Sequence, residues 1–182
     1  MNQKRIDYEV LLLLLKKNSY GREISKDLKI PLTTIQRAIS GLEKENAIEY
    51  KKIGKNKVYT IKKHLPARLH IYTAEHYKLQ RVIEAYKKLG PLFEELIKKY
   101  PDKLIVLFGS FARFSAKIDS DVDIYIETTN PSIKKEIEGV YSTASVKIGK
   151  FDKNDLLIKE IIDNHAIIQG AEKFYEKTQF FE

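Results

Sequence analysis

Two aspartates, Asp121 and Asp123, stand two residues apart in the run Asp-Val-Asp-Ile-Tyr-Ile-Glu. On an extended strand, residues i and i+2 project from the same face, so the two carboxylates would converge. Their hard oxygen donors suit a divalent cation such as Mg2+. Upstream, the apolar run Leu104-Ile105-Val106-Leu107-Phe108 ends in Gly109-Ser110, with ten residues between Ser110 and Asp121. A glycine there lets backbone amides approach a phosphate closely, and Ser110 adds a hydroxyl at the start of a helix, where amides point toward negative charge. Carboxylates that hold a metal beside a phosphate cradle would serve chemistry on a phosphate-bearing substrate. The plain alternative is a solvated strand edge, because aspartates initiate turns and Asp119 belongs to one.

These residues need elements to position them. The run 104–108 reads as a buried strand, and Val122 to Glu127 as a second one with Val122, Ile124 and Ile126 on one face and Asp121, Asp123 and Tyr125 on the other. Residues 131–139 read as a helix, 144–150 as a strand, and 152–175 as one or two closing helices. Before the first strand, 65–100 has helical spacing interrupted at Gly90-Pro91. Earlier still, Ile6, Val10, Leu11, Leu14 and Leu15 mark a first helix, Ser19 to Leu28 a second, and Ile35, Ala38, Ile39 and Leu42 a third that Thr33 or Thr34 can cap. Ala47 to Tyr50 and Val58 to Ile61 then read as a hairpin around Gly54-Lys55-Asn56. The expected fold class is α+β, with modules at 1–63 and 101–182 joined by a helical connector or dimerisation region at 64–100.

Charge is divided along the chain. Residues 1–63 carry 15 Lys/Arg against 7 Asp/Glu, whereas 101–182 carry 11 against 14, within a total formal charge of +8. A basic first third suits a polyanion, and an acidic last third concentrates carboxylates for divalent metal. Cysteine is absent, which excludes disulfides and thiolate metal sites. The apolar run Val10 to Leu15 is too short to span a bilayer and has no cleavage site, so the expectation is a cytoplasmic protein without membrane insertion. His64, His70, His76 and His165 form no metal-binding spacing, and no Walker-type phosphate loop, dinucleotide fingerprint or nucleophile elbow occurs. The 11 tyrosines are scattered and read as core and interface residues.

The stretch GSFARFSAKIDSDVDIYIE resembles the nucleotidyltransferase superfamily that includes DNA polymerase beta, and most closely its small, minimal members. The resemblance implies a mixed sheet flanked by helices and a nucleoside triphosphate held with Mg2+, in a two-metal arrangement. It assigns Ser110, Asp121 and Asp123 to catalysis, Asp121 and Asp123 to metal, and Gly109, Ser110 and Arg113 to nucleotide binding. NHAIIQGAEKFYE is similar to the family's closing helix. Two departures stand out. The third carboxylate usual on a later strand is replaced by Lys147, with Glu127 and Asp152 as candidate substitutes, and Phe114 stands where the family carries glycine after Arg113. Small members include antitoxins that modify a partner toxin on tyrosine, so a protein acceptor is among those implied.

Residues 1–63 resemble the winged helix-turn-helix family of transcription regulators, through SYGREISKDLKIPLTTIQRAISGLEKENAIEYKKIGKNKVYTI. The resemblance makes Leu32 to Glu45 a recognition helix that presents Thr33, Thr34, Gln36, Arg37 and Ser40 to the major groove of double-stranded DNA. Lys51, Lys52, Lys55 and Lys57 fall on the wing. Such modules also serve as protein-interaction domains, and DNA readers of this type commonly pair as homodimers. Two functions follow as expectations: a DNA-binding protein that transfers a nucleoside monophosphate from a nucleoside triphosphate to a hydroxyl, or a transcription regulator whose degenerate transferase domain only binds nucleotide.

Overall fold

Residues 5–182 are described by a computed structural model. They fall into two units, one reaching Tyr77 and taking in Phe181–Glu182, the other covering Lys78–Phe180.

In the first unit, α1 (Ile6–Leu14) buries Val10, Leu11 and Leu14, the positions its helical period aligns on one face. A two-residue strand, β1 (Ser19–Tyr20), follows, so the second helix begins at Gly21 and not at the expected Ser19. Helix α2 (Gly21–Leu28) ends where Lys29 turns into the left-handed region at φ 55. The third helix, α3 (Leu32–Lys44), starts after Pro31, and that proline occupies the N-cap position expected of Thr33 or Thr34. It buries Ile35, Ile39 and Leu42. Strands β2 (Ile48–Ile53) and β3 (Asn56–Ile61) pair antiparallel from Ile48↔Ile61 to Ile53↔Asn56, with β1 on the other edge of β3. The first helix, short strand, helix pair and wing-like hairpin follow in winged-helix order.

Helix α4 (Leu65–Ala85) buries Ala67, Ile71 and Ala74 in the first unit. Tyr77 donates its hydroxyl to Glu9 at 3.0 Å there, and the Phe181 ring meets Tyr72 edge-on at 6.5 Å.

The second unit opens with the end of α4, a single 3-10 turn at Lys87–Leu89, and α5 (Gly90–Lys99). Pro91 sits in the first turn of α5, where its missing N–H leaves no helical bond unmade. Strands β4 (Ile105–Leu107), β5 (Val122–Glu127), β6 (Ala144–Gly149) and β7 (Ala166–Gln169) form one sheet in the order β6-β5-β4-β7. The β4–β5 and β4–β7 pairs are antiparallel, and β5–β6 is parallel across the helix α7 (Pro131–Val140). The expected closing helix therefore needs correction. Ala166–Gln169 is a strand, preceded by α8 (Leu156–Asp163) and followed by α9 (Ala171–Thr178). The 4 residues of β7, closed off by a left-handed Gly170, are too few for periodicity to separate strand from helix. Ile105, Leu107, Ile124, Ile126, Val146 and Ile168 pack with Leu92, Phe93 and Leu96 of α5 and Ile133 and Ile137 of α7 into one core.

Candidate functional site

Strand β4 is buried at all three residues and lies inside the sheet, which fixes where its C-terminal end can be. Phe108 continues it in extended conformation and donates its N–H to the Asp123 carbonyl at 2.9 Å. Gly109 then turns at φ +67 and opens the short helix α6 (Gly109–Ala112). A Cβ added at Gly109 would collide with Oδ2 of Asp123 and stand 3.0 Å from its Cγ. The glycine is therefore required twice, by its left-handed backbone and by the carboxylate that fills the space beside it.

Asp123 is half-buried on β5, and Asp121 is exposed just before the strand. Burial pushes the Asp123 carboxyl above the ordinary aspartate value, although the hydrogen bond from Ser145 favours the ionised form. The charges of Asp121 and Glu160 raise it further, and Lys147 opposes them. The parallel register accounts for two of these neighbours: Asp123 stands opposite Ser145 and Tyr125 opposite Lys147. Since side chains alternate along strands, Ser145 and Lys147 share the sheet face of Asp123, while Ala144 and Val146 point into the core.

Ser110 is partly exposed beside Gly109, and its carbonyl accepts from the Ser115 N–H at 2.9 Å, closing the turn after α6. Arg113 is exposed and donates from its guanidinium to Oε1 of Glu160 at 3.4 Å. Phe114 adopts φ +57, the left-handed conformation that glycine takes readily, with the Arg81 guanidinium 4.9 Å over its ring. Phe111 anchors α6 from below: it is 1% exposed and meets Tyr86 edge-on at 4.8 Å.

The candidate substitutes for a third carboxylate lie elsewhere. Glu127 accepts from Lys177 at 2.8 Å and from the Phe151 N–H at 3.4 Å, and Asp152 accepts from the Asn154 N–H in its own turn. Glu160 of α8 is the acidic group sequence reasoning missed. It lies 37 residues beyond Asp123 in the chain, and no local spacing signals it. Among the described residues no three His, Asp or Glu side chains cluster to hold a metal. Asp121 and Asp123 still fit Mg2+, which is commonly held by one or two carboxylates with phosphate and water completing its shell. Gly109 itself is buried, and Ser110 beside it is partly exposed.

In the first unit, Thr33, Gln36, Arg37 and Ser40 are exposed on α3 and Thr34 is partly so. Lys51, Lys52, Lys55 and Lys57 are exposed on the hairpin. Between α3 and the hairpin runs a groove of about 520 Å³ lined by Arg22, Gln36, Lys55 and Lys57 together with Tyr20 and Tyr59. Lys57 rests over the Tyr50 ring at 4.0 Å.

With this geometry in place, comparison with known proteins adds the following. Residues 90–178 match the family model described as "Nucleotidyltransferase domain". Two solved structures resemble the N-terminal part. One is the Adhesin competence repressor (AdcR) from Streptococcus pyogenes, with TM-score 0.37, 14% identity, and coverage of 56% of this chain and 81% of that one. The other is a mutant form of ZitR from Lactococcus lactis, with TM-score 0.38, 19% identity, and coverage of 56% and 73%. A search of curated proteins gave no match. The chain is of the α+β class, and the helices and strands of its first unit follow one another in winged-helix order. The second unit, Lys78–Phe180, contains all the residues that match the nucleotidyltransferase model.

Among the described residues no helix is long and apolar enough to cross a membrane.

Proposed function

We propose that this chain is a DNA-binding nucleotidyltransferase, one that transfers a nucleoside monophosphate from a nucleoside triphosphate to a hydroxyl acceptor with Mg2+. The observation that carries the reading is the fit of Gly109 against Asp123 at the end of a buried strand, within residues that match the transferase family. Asp121 and Asp123 would hold the cation. Gly109 makes room for the Asp123 carboxylate, and the partly exposed Ser110 donates its hydroxyl to the phosphates. A bound divalent ion would neutralise the phosphate charge and steady the departing pyrophosphate. The acceptor oxygen bonds to the α-phosphorus as the bond to pyrophosphate breaks, and the acceptor proton passes to solvent or to a nearby carboxylate. Arg113 is tied to Glu160 and acts by bracing α6 against α8.

The exposed polar face of α3 and the hairpin lysines support DNA as the partner of the first unit. A homodimer belongs to the same proposal: Leu65 and Leu69 are exposed on α4 at 63% and 55%, and a second copy would cover them. Light scattering at micromolar concentration tests it, and a monomer would count against it.

The test of transfer is incubation with nucleoside triphosphates labelled at the α-phosphate, Mg2+ and cell extract, with the Asp121→Asn/Asp123→Asn double variant as control. Label on an acceptor that disappears in the variant supports the enzyme. Equal labelling by the variant sinks it. The second reading is a regulator in which nucleotide is only a ligand, and Lys147 on the face of Asp123 favours it. DNA affinity that changes with nucleotide at fixed salt, without transfer, would select that reading.

A further inference from the structure

Position 147 puts a cation on the surface where the nucleotide site holds its carboxylates. Lys147 is exposed, on the strand directly beside Asp123, two residue pairs further along the parallel register. Ser145 stands opposite Asp123 in the parallel register, which places β6 beside the site at that point. The buried Ala144 and Val146 fix the alternation, which leaves Lys147 no route to the opposite face without turning core residues outward.

We infer that Lys147 is a phosphate-binding residue of the nucleotide site, and that the site takes one divalent ion per nucleoside triphosphate, with the Lys147 ammonium standing where a second ion would otherwise be needed. The chemistry is consistent with the charges present. A triphosphate brings several negative charges to a surface that already carries Asp121, Asp123 and Glu160, so positive charge must enter with it. Two carboxylates are enough for one Mg2+ completed by phosphate oxygens. A second ion would be repelled by the ammonium, and Glu160 does not come together with Asp121 and Asp123 into a three-carboxylate cluster that could hold it, there being none among the described residues. An ammonium on a flexible stem supplies donors to phosphate as a compact point charge, and it contributes without an ion to recruit. The inference rests on the nucleotide reading proposed above.

The test uses the full chain, Mn2+ as the probe ion, and non-hydrolysable analogues of the four ribonucleoside triphosphates in turn. Electron paramagnetic resonance counts bound Mn2+, and calorimetry measures nucleotide affinity. Wild-type protein is expected to hold one Mn2+ per bound nucleotide. Lys147→Ala should weaken nucleotide binding about 10-fold or more, the scale of one lost charge-assisted hydrogen bond. Lys147→Arg should recover part of that loss, and Lys147→Asp should gain a second bound Mn2+. Two Mn2+ per nucleotide in the wild type, or unchanged affinity in a folded Lys147→Ala variant, would overturn the inference while leaving the nucleotide site standing. Wild-type protein that binds none of the analogues with Mn2+ would overturn the nucleotide reading and this inference together.

Discussion

Gly109 and Asp123 share one small volume: the space a side chain would take at Gly109 is occupied by the carboxylate of Asp123, whose own carbonyl accepts from Phe108. The turn and the carboxylate are thus mutually fitted. Gly109→Ala would place a Cβ in the left-handed region and against Oδ2, so either the turn or Asp123 must move. The expected loss is about 1–3 kcal/mol of unfolding free energy, read from the urea midpoint. Nucleotide binding should fall as well, even at temperatures where the variant remains folded. A variant with wild-type stability and binding would show that the fit is dispensable.

Asp123 itself is held at a cost. In the absence of divalent cation, burial raises its carboxyl above the ordinary 3.8, so folding disfavours its charged form relative to the unfolded chain. A raised folded-state value contributes stability below the unfolded value and loses it as pH rises through the folded one. At pH 7 the charged Asp123 therefore weakens the fold, and Asp123→Asn should melt higher in EDTA. The difference should shrink on acidification and vanish below the ordinary 3.8. A variant that melts lower at pH 7 would contradict this, and metal-dependent nucleotide binding should be lost whichever way the melting moves.

Much of this layout was legible in sequence because its signals are local. The Gly109-Ser110 turn follows five apolar residues, and Asp121 and Asp123 sit at strand spacing. The third-helix face was readable for the same reason, since Ile35, Ile39 and Leu42 repeat at helical period and are buried. Signals that depend on distant residues were not readable. Glu160 reaches the site only because α8 packs near α6, and β7 exists because β4 has an open edge for Ala166 and Ile167 to pair with. Ser145 mattered only once the register set it opposite Asp123. Phe114 was readable as a departure, yet nothing local told that its backbone would still take a left-handed turn.

Phe111 transmits core packing to the site. It is the large buried side chain of the four-residue α6, which is too short to stand alone, so the packing of its ring against Tyr86 helps hold Gly109 and Ser110 in place. Phe111→Ala should cost about 3–5 kcal/mol, through lost burial and the cavity left behind. Calorimetry should show the loss in the transition of the second unit. Phe111→Leu keeps most of the volume and should cost less than half as much. Equal costs for the two would mean that filled space is not what anchors the turn.

The wing lysines differ in how freely they can serve DNA. Lys57 rests on Tyr50, so removing it disturbs the hairpin as well as any phosphate contact. Lys51 and Lys52 are exposed on β2 and give a cleaner test. If each neutralises one phosphate, each releases counterion on binding, and the dependence of log affinity on log salt should flatten by roughly 2 in the Lys51→Ala/Lys52→Ala variant. That loss should be alike on unrelated duplexes, because phosphates carry no sequence. Arg37→Ala, on the exposed face of α3, should instead weaken a selected target more than random DNA. Fluorescence anisotropy on both duplexes across a salt series separates the two. Parallel losses from Arg37 and the lysines would assign α3 to the backbone, and no loss from either would remove DNA as the partner of this unit.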